Sequence, residues 1–71
     1  MNTNRTTESP ILYRLVYGEH GNKQGHVDEL PAGTTEELAR GCLSDQVSKY
    51  AGDGWGRVEW TSADREGWER I

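Results

Sequence analysis

Apolar residues recur at helical spacing in one long stretch of this chain, from Pro31 to Gly52. Leu38, Ala39, Cys42, Leu43, Val47, Tyr50 and Ala51 fall three, four, seven and eight residues apart, and Glu36, Arg40, Ser44, Asp45, Ser48 and Lys49 take the opposite side. Thr34 followed three residues later by Glu37 predicts a capping box at the start. Gly52 predicts a left-handed residue closing the last turn. Glu36–Arg40 and Asp45–Lys49 stand in the favourable i,i+4 order. Cys42, on the stripe, is expected to be a small buried hydrophobe. Gly41 falls outside the stripe and has no packing reason.

Strand patterns flank the helix. In Ile11–Tyr17, Ile11, Tyr13, Leu15 and Tyr17 share one face while Leu12, Arg14 and Val16 share the other. Both faces are partly apolar, as suits a central strand. Gly18 to Gly25 reads as a turn or a longer hairpin loop, and His26 to Leu30 as a weaker edge strand carrying His26 and Asp28 on one side. Pro31-Ala32-Gly33 breaks it. Gly52 to Gly56, glycine at every second position, reads as cap and turn with Trp55 at a loop tip. Arg57 to Ser62 is the third strand, with Val58 and Trp60 toward the core and Arg57, Glu59 and Thr61 away from it. Ala63 to Gly67 turns, and Trp68 to Ile71 pairs back as a fourth strand, Trp68 at the core or its rim. A helical turn over Ser62 to Glu66 competes with that hairpin.

The order predicts an α+β fold of ββαββ type: a four-stranded sheet with one helix packed across one face, spanning residues 11–71 as one domain. The helix connection is expected to place the first and last strands side by side in the sheet centre. Residues 1–10 are polar and read as a disordered tail ending at Pro10.

Charge narrows the function classes. Twelve acids stand against eight bases in 71 residues, a net charge of −4. The bases are scattered among the acids, so no basic stripe tracks a phosphate backbone, and nucleic-acid association is a second alternative only. The first thirty residues lack the apolar run of a signal peptide, and no stretch is long enough to span a membrane. One cysteine makes no intramolecular disulfide. A cytoplasmic protein is expected.

Several short motifs resemble the immunoglobulin-binding domain of streptococcal protein G. They are Tyr13-Arg14-Leu15-Val16 in the first strand, Lys49-Tyr50-Ala51 with Asp53 at the helix end, and Glu59-Trp60-Thr61 with Asp64 in the third strand. The resemblance runs from about Tyr13 to Ile71, with a longer first hairpin here. It implies a fold of β-grasp-like, ubiquitin-like order. Antibody-contacting positions in that family cluster on the outer helix face and the adjoining third strand. Glu59 and Trp60 resemble them, whereas the helix here offers Ser44, Asp45 and Ser48 in place of the basic side chains expected there.

Reactive chemistry is sparse. His20, His26 and Cys42 are the only soft metal ligands, and structural zinc takes four such groups, usually in close pairs. An enzyme or a metal- or ligand-binding protein using these three is the alternative class. Gly52-x-Gly54-x-Gly56 leaves a helix C-terminus, whereas phosphate loops enter a helix N-terminus. The adjacent carboxylates Glu36-Glu37 and Asp28-Glu29 point apart. No catalytic residue, cofactor or metal is expected. What stands out is Leu12 and Val16 on a sheet face with no second layer to cover them, and Trp55, either a contact residue or, as preferred here, a lid folded back on the core. Arg14, Arg57 and Glu59 are expected to rim that surface. The function expected is a small non-catalytic protein-binding or regulatory module, its partner another protein or a second copy.

Overall fold

The computed structural model describes residues 10–71; the polar tail expected over residues 1–10 lies outside the described residues apart from Pro10. The chain forms β1 (Ile11–Glu19), β2 (His26–Glu29), α1 (Glu36–Ser48), β3 (Gly54–Ser62) and β4 (Glu69–Arg70). The architecture is the expected ββαββ, a four-stranded antiparallel sheet with one helix. No helix is long and apolar enough to cross a membrane among the described residues.

The strand order is β2-β1-β3-β4, which corrects the expectation that the first and last strands are neighbours. A central strand with two apolar faces needs a partner of matching length, and β4 has two residues while β3 has nine. The register between β1 and β3 runs unbroken from Ile11 opposite Ser62 to Glu19 opposite Gly54. The connection through α1 therefore carries the chain across β1, leaving β2 and β3 on its two sides.

That full-length pairing depends on β3 beginning at Gly54 rather than at Arg57. Gly54 and Gly56 are not turn residues; they are the flat ground on which the helix rests. A methyl at Gly56 would stand 2.7 Å from Leu43 Cδ1 and 2.9 Å from Val47 Cγ2, and one at Gly54 3.0 Å from the backbone oxygen of Val47. Absence of side chains here lets α1 approach the sheet closely. Leu15, Tyr17, Ala39 and Val58 form the buried centre, with Tyr13, Leu30, Leu43, Val47 and Tyr50 packed around it. At its edge the Tyr17 hydroxyl donates to Asp28 Oδ2 at 2.7 Å, a bond that raises the phenol's pKa above its ordinary value.

The helix ends differ from the sequence pattern by a residue or more. Thr35, not Thr34, is the N-cap: its hydroxyl oxygen accepts the Leu38 N–H at 3.2 Å. Thr34 is occupied with the preceding turn, where both its N–H and its hydroxyl donate to the Pro31 carbonyl, around Gly33 at φ +94°. At the other end the helix stops at Ser48 with Lys49 as cap, and Ala51 already has φ 55° before Gly52 at φ 87°.

The helix also seats itself more narrowly than the stripe implied. Contact with the sheet follows Ala39, Leu43, Val47 and Tyr50, at intervals of four, four and three. Leu38 and Cys42 lie one residue, about 100°, off that line. Leu38 is 60% exposed and Cys42 is exposed, not the buried hydrophobe expected. Trp60 likewise stands half-buried beside the core rather than within it, with the Arg65 guanidinium carbon 4.4 Å from its ring centroid. The last segment pairs as a strand, so the hairpin prevails over the helical turn, although only Glu69 and Arg70 take part.

Gly41 is exposed in the helix interior, and a Cβ there would meet no atom within 4 Å. Gly41→Ala is expected to stabilise the fold by about 1 kcal/mol, through helix propensity and a less flexible unfolded chain. Urea unfolding measures it, and a lower midpoint for the variant contradicts this helix placement.

Candidate functional site

Alternation along β1 and β3 sends a second set of side chains to the face away from α1: Leu12, Arg14, Val16 and Gly18 from β1, and Trp55, Arg57, Glu59 and Thr61 from β3. The register puts Arg14 opposite Glu59, Val16 opposite Arg57 and Gly18 opposite Trp55. Extending β3 back to Gly54 is what brings Trp55 onto this face, in phase with Arg57 and Glu59.

Glu59 is the centre of the surface. Its Oε1 accepts from Arg14 Nε at 2.8 Å and Nη2 at 2.7 Å, and its Oε2 accepts from Arg57 Nε at 2.7 Å. The carboxylate is largely covered, its side chain 10% exposed. Burial pushes the Glu59 carboxyl up and is the largest single influence, but the hydrogen bonds and charges of Arg57 and Arg14 together outweigh it and hold the pKa below the usual glutamate value. Each arginine in turn meets an aromatic ring. The Arg14 guanidinium carbon is 4.4 Å from the Trp68 centroid, and that of Arg57 is 5.7 Å from Trp55. The result is a run across the sheet of Trp55, Arg57, Glu59, Arg14 and Trp68.

Trp55 is anchored at the far end of this run. Its indole N–H is shared between the carbonyls of Glu19, at 3.1 Å, and Asn22, at 3.2 Å. Its ring lies against the backbone of Gly18 and Gly25: a Cβ at Gly25 would be 2.8 Å from the ring and 2.5 Å from the Tyr17 carbonyl oxygen, at a φ of +67°. Trp55 is thus a half-buried strand residue holding the β1–β2 hairpin down on the open face, which corrects the expectation of a loop-tip lid folded back on the core.

The open face is consequently not the bare aliphatic patch expected. Val16 is only 4% exposed, between Val27 and Arg57 in the sheet register, and Leu12 is half-buried. Arg14, Arg57 and Glu59 cross the middle of the surface rather than rim it. Trp68, expected at the core or its rim, joins the open face instead. The signal for Trp55 was present in the alternation of Trp55, Arg57, Glu59 and Thr61, hidden by the glycines at 54 and 56.

Beside Trp55 a recess of about 340 Å³ opens at the end of the β1–β2 hairpin, lined by His20, Gly21, Asn22, Lys23, Trp55 and Arg57. His20 Nδ1 is 3.2 Å from Asp53 Oδ1. His26 sits instead beside Tyr17, ring centroids 5.5 Å apart, and Cys42 is out on the helix. The three soft ligands named from the sequence are therefore on different parts of the molecule, and among the described residues no three His, Cys, Asp or Glu side chains are grouped to hold a metal ion. No protein-family model, curated protein or solved structure matches this chain.

Because the folded-state pKa of Glu59 is depressed, its stabilising contribution is present above the unfolded pKa and lost as pH falls through the folded one. Glu59→Gln is expected to cost about 1–3 kcal/mol at neutral pH. The variant is also expected to lose less stability than the parent on acidification from about pH 5 to pH 3. Urea midpoints across that range measure both, and parallel pH profiles for the two proteins contradict the shared carboxylate.

Proposed function

We propose that this chain is a small non-catalytic protein-binding or regulatory module, an adaptor or inhibitor of a larger cytoplasmic protein, and that it meets its partner through the open sheet face. The observation that supports this is the run of Trp55, Arg57, Glu59, Arg14 and Trp68 on a face that no other element covers among the described residues. Tryptophan and arginine are the residues that most often carry interface energy. Here each is held in place by its neighbour, so less side-chain freedom is lost on docking. Val27, 51% exposed and opposite Val16, extends the surface onto β2. The guanidinium groups and the rings offer a partner both charge complementarity and broad apolar contact, the usual mixture of an interface centre. A second copy of the chain is the other occupant such a face accepts.

Trp68→Ala and Leu38→Ala separate this face from the exposed side of the helix. With the tagged full chain, Trp68→Ala is expected to weaken capture of a co-purifying partner at least about tenfold, and Leu38→Ala less than about twofold. Backbone amide shifts in the complex are expected on β1, β3 and β4. The opposite pattern between the two variants contradicts the proposal, as does a concentration-independent monomer with no partner captured.

A further inference from the structure

The recess beside the β1–β2 hairpin has the make-up of a small-ligand site, and it shares Trp55 and Arg57 with the proposed protein-contact face. Its volume of about 340 Å³ falls at the small end of ligand pockets. No acidic side chain lines it, and Asn22, Lys23 and Arg57 keep N–H donors that the fold does not use. Asn22 Oδ1 accepts the backbone N–H groups of Gln24 and Gly25, at 3.2 and 3.1 Å, which leaves the amide NH₂. His20 donates its Nδ1–H to Asp53 Oδ1, so Nε2 of the neutral ring is an acceptor and His20 supplies no donor to an anion. Arg57 engages Glu59 through Nε, which leaves its terminal nitrogens, and Lys23 has no ion-pair partner among the described residues. Trp55 adds an indole ring fixed by its two N–H···O bonds and by the backbone of Gly18 and Gly25.

We propose that this recess binds a planar aromatic ring carrying an anionic group, as in a mononucleotide or another aryl phosphate. The ring stacks on the Trp55 indole, an attraction indifferent to the identity of the ring. The anion is taken by Lys23 and the terminal nitrogens of Arg57, with Asn22 beside them. Glu59 holds Arg57 from the other side and so keeps its free nitrogens in place. The glycines at 52, 54 and 56 take no part; the site belongs to the hairpin and to Trp55, not to a phosphate loop.

Titrating the full chain with adenosine, inorganic phosphate and AMP in separate arms tests this by amide and indole NMR shifts. AMP is expected to give saturable shifts at the Trp55 indole N–H and at Gly21, Asn22 and Lys23, and to bind at least about fivefold more tightly than adenosine or phosphate alone. A phenyl phosphate arm assigns the source: preference for AMP points to a nucleotide, and preference for phenyl phosphate to a phosphorylated aromatic side chain. Lys23→Ala, which removes no contact described within the fold, is expected to weaken AMP about two- to fivefold and leave adenosine unchanged. The proposal is overturned if AMP binds no better than its halves, if its shifts map away from the hairpin, or if Lys23→Ala leaves its affinity unaltered.

Discussion

The pairing of β1 with β3 along nine residues is the constraint on which the rest of this molecule depends. One side of that ribbon supplies Leu15, Tyr17 and Val58 to the helix; the other supplies Arg14, Val16, Arg57 and Glu59 to the open face. A slip of one residue would turn one strand over relative to the other, carrying Arg14 of β1, or Arg57 and Glu59 of β3, under the helix and part of the core outward. Glu59 helps to resist that slip. In the observed register it faces Arg14 directly and reaches Arg57 along its own strand, satisfying both oxygens of a covered carboxylate. Stability and surface chemistry thus come from one register.

The glycines show the same economy on both faces. Gly54 and Gly56 clear space for the helix, while Gly18 and Gly25 clear space for the Trp55 ring on the opposite side. A small chain has few residues with which to build a core, and close approach of backbone to side chain is one way to gain contact without adding volume. The consequence is that the hairpin bearing the recess is held by Trp55 rather than by the helix. Candidate surface and candidate ligand site therefore share Trp55 and Arg57.

Much of the fold was legible from periodicity. The alternation of Ile11 to Tyr17 marked the central strand, and the 3.6-residue pattern after Pro31 marked the helix, because both patterns are strong and uninterrupted. The strand order was not legible, since it turned on the relative lengths of β3 and β4, and the glycines at 54 and 56 hid the first part of β3. Glycine in sequence signals either a turn or a close approach, and only the structure says which. Leu38 and Cys42 failed for a related reason. The width of a helix's buried stripe depends on how near the helix sits to its sheet, which the spacing alone does not encode. On the candidate surface Arg14, Arg57 and Glu59 were named from their phase, and Trp68 was missed because a two-residue strand carries almost no pattern.

The most direct test of the β1–β3 register, and of the Trp55 seat built on it, is the chemical shift of the Gly18 and Gly25 α-protons. With Trp55 in the strand and its ring over these glycines, both are expected to be displaced upfield by the indole ring current, with cross-strand NOEs between Gly18 and Trp55. Unperturbed glycine shifts and a mobile Trp55 side chain would contradict the register and remove the support for both proposed sites.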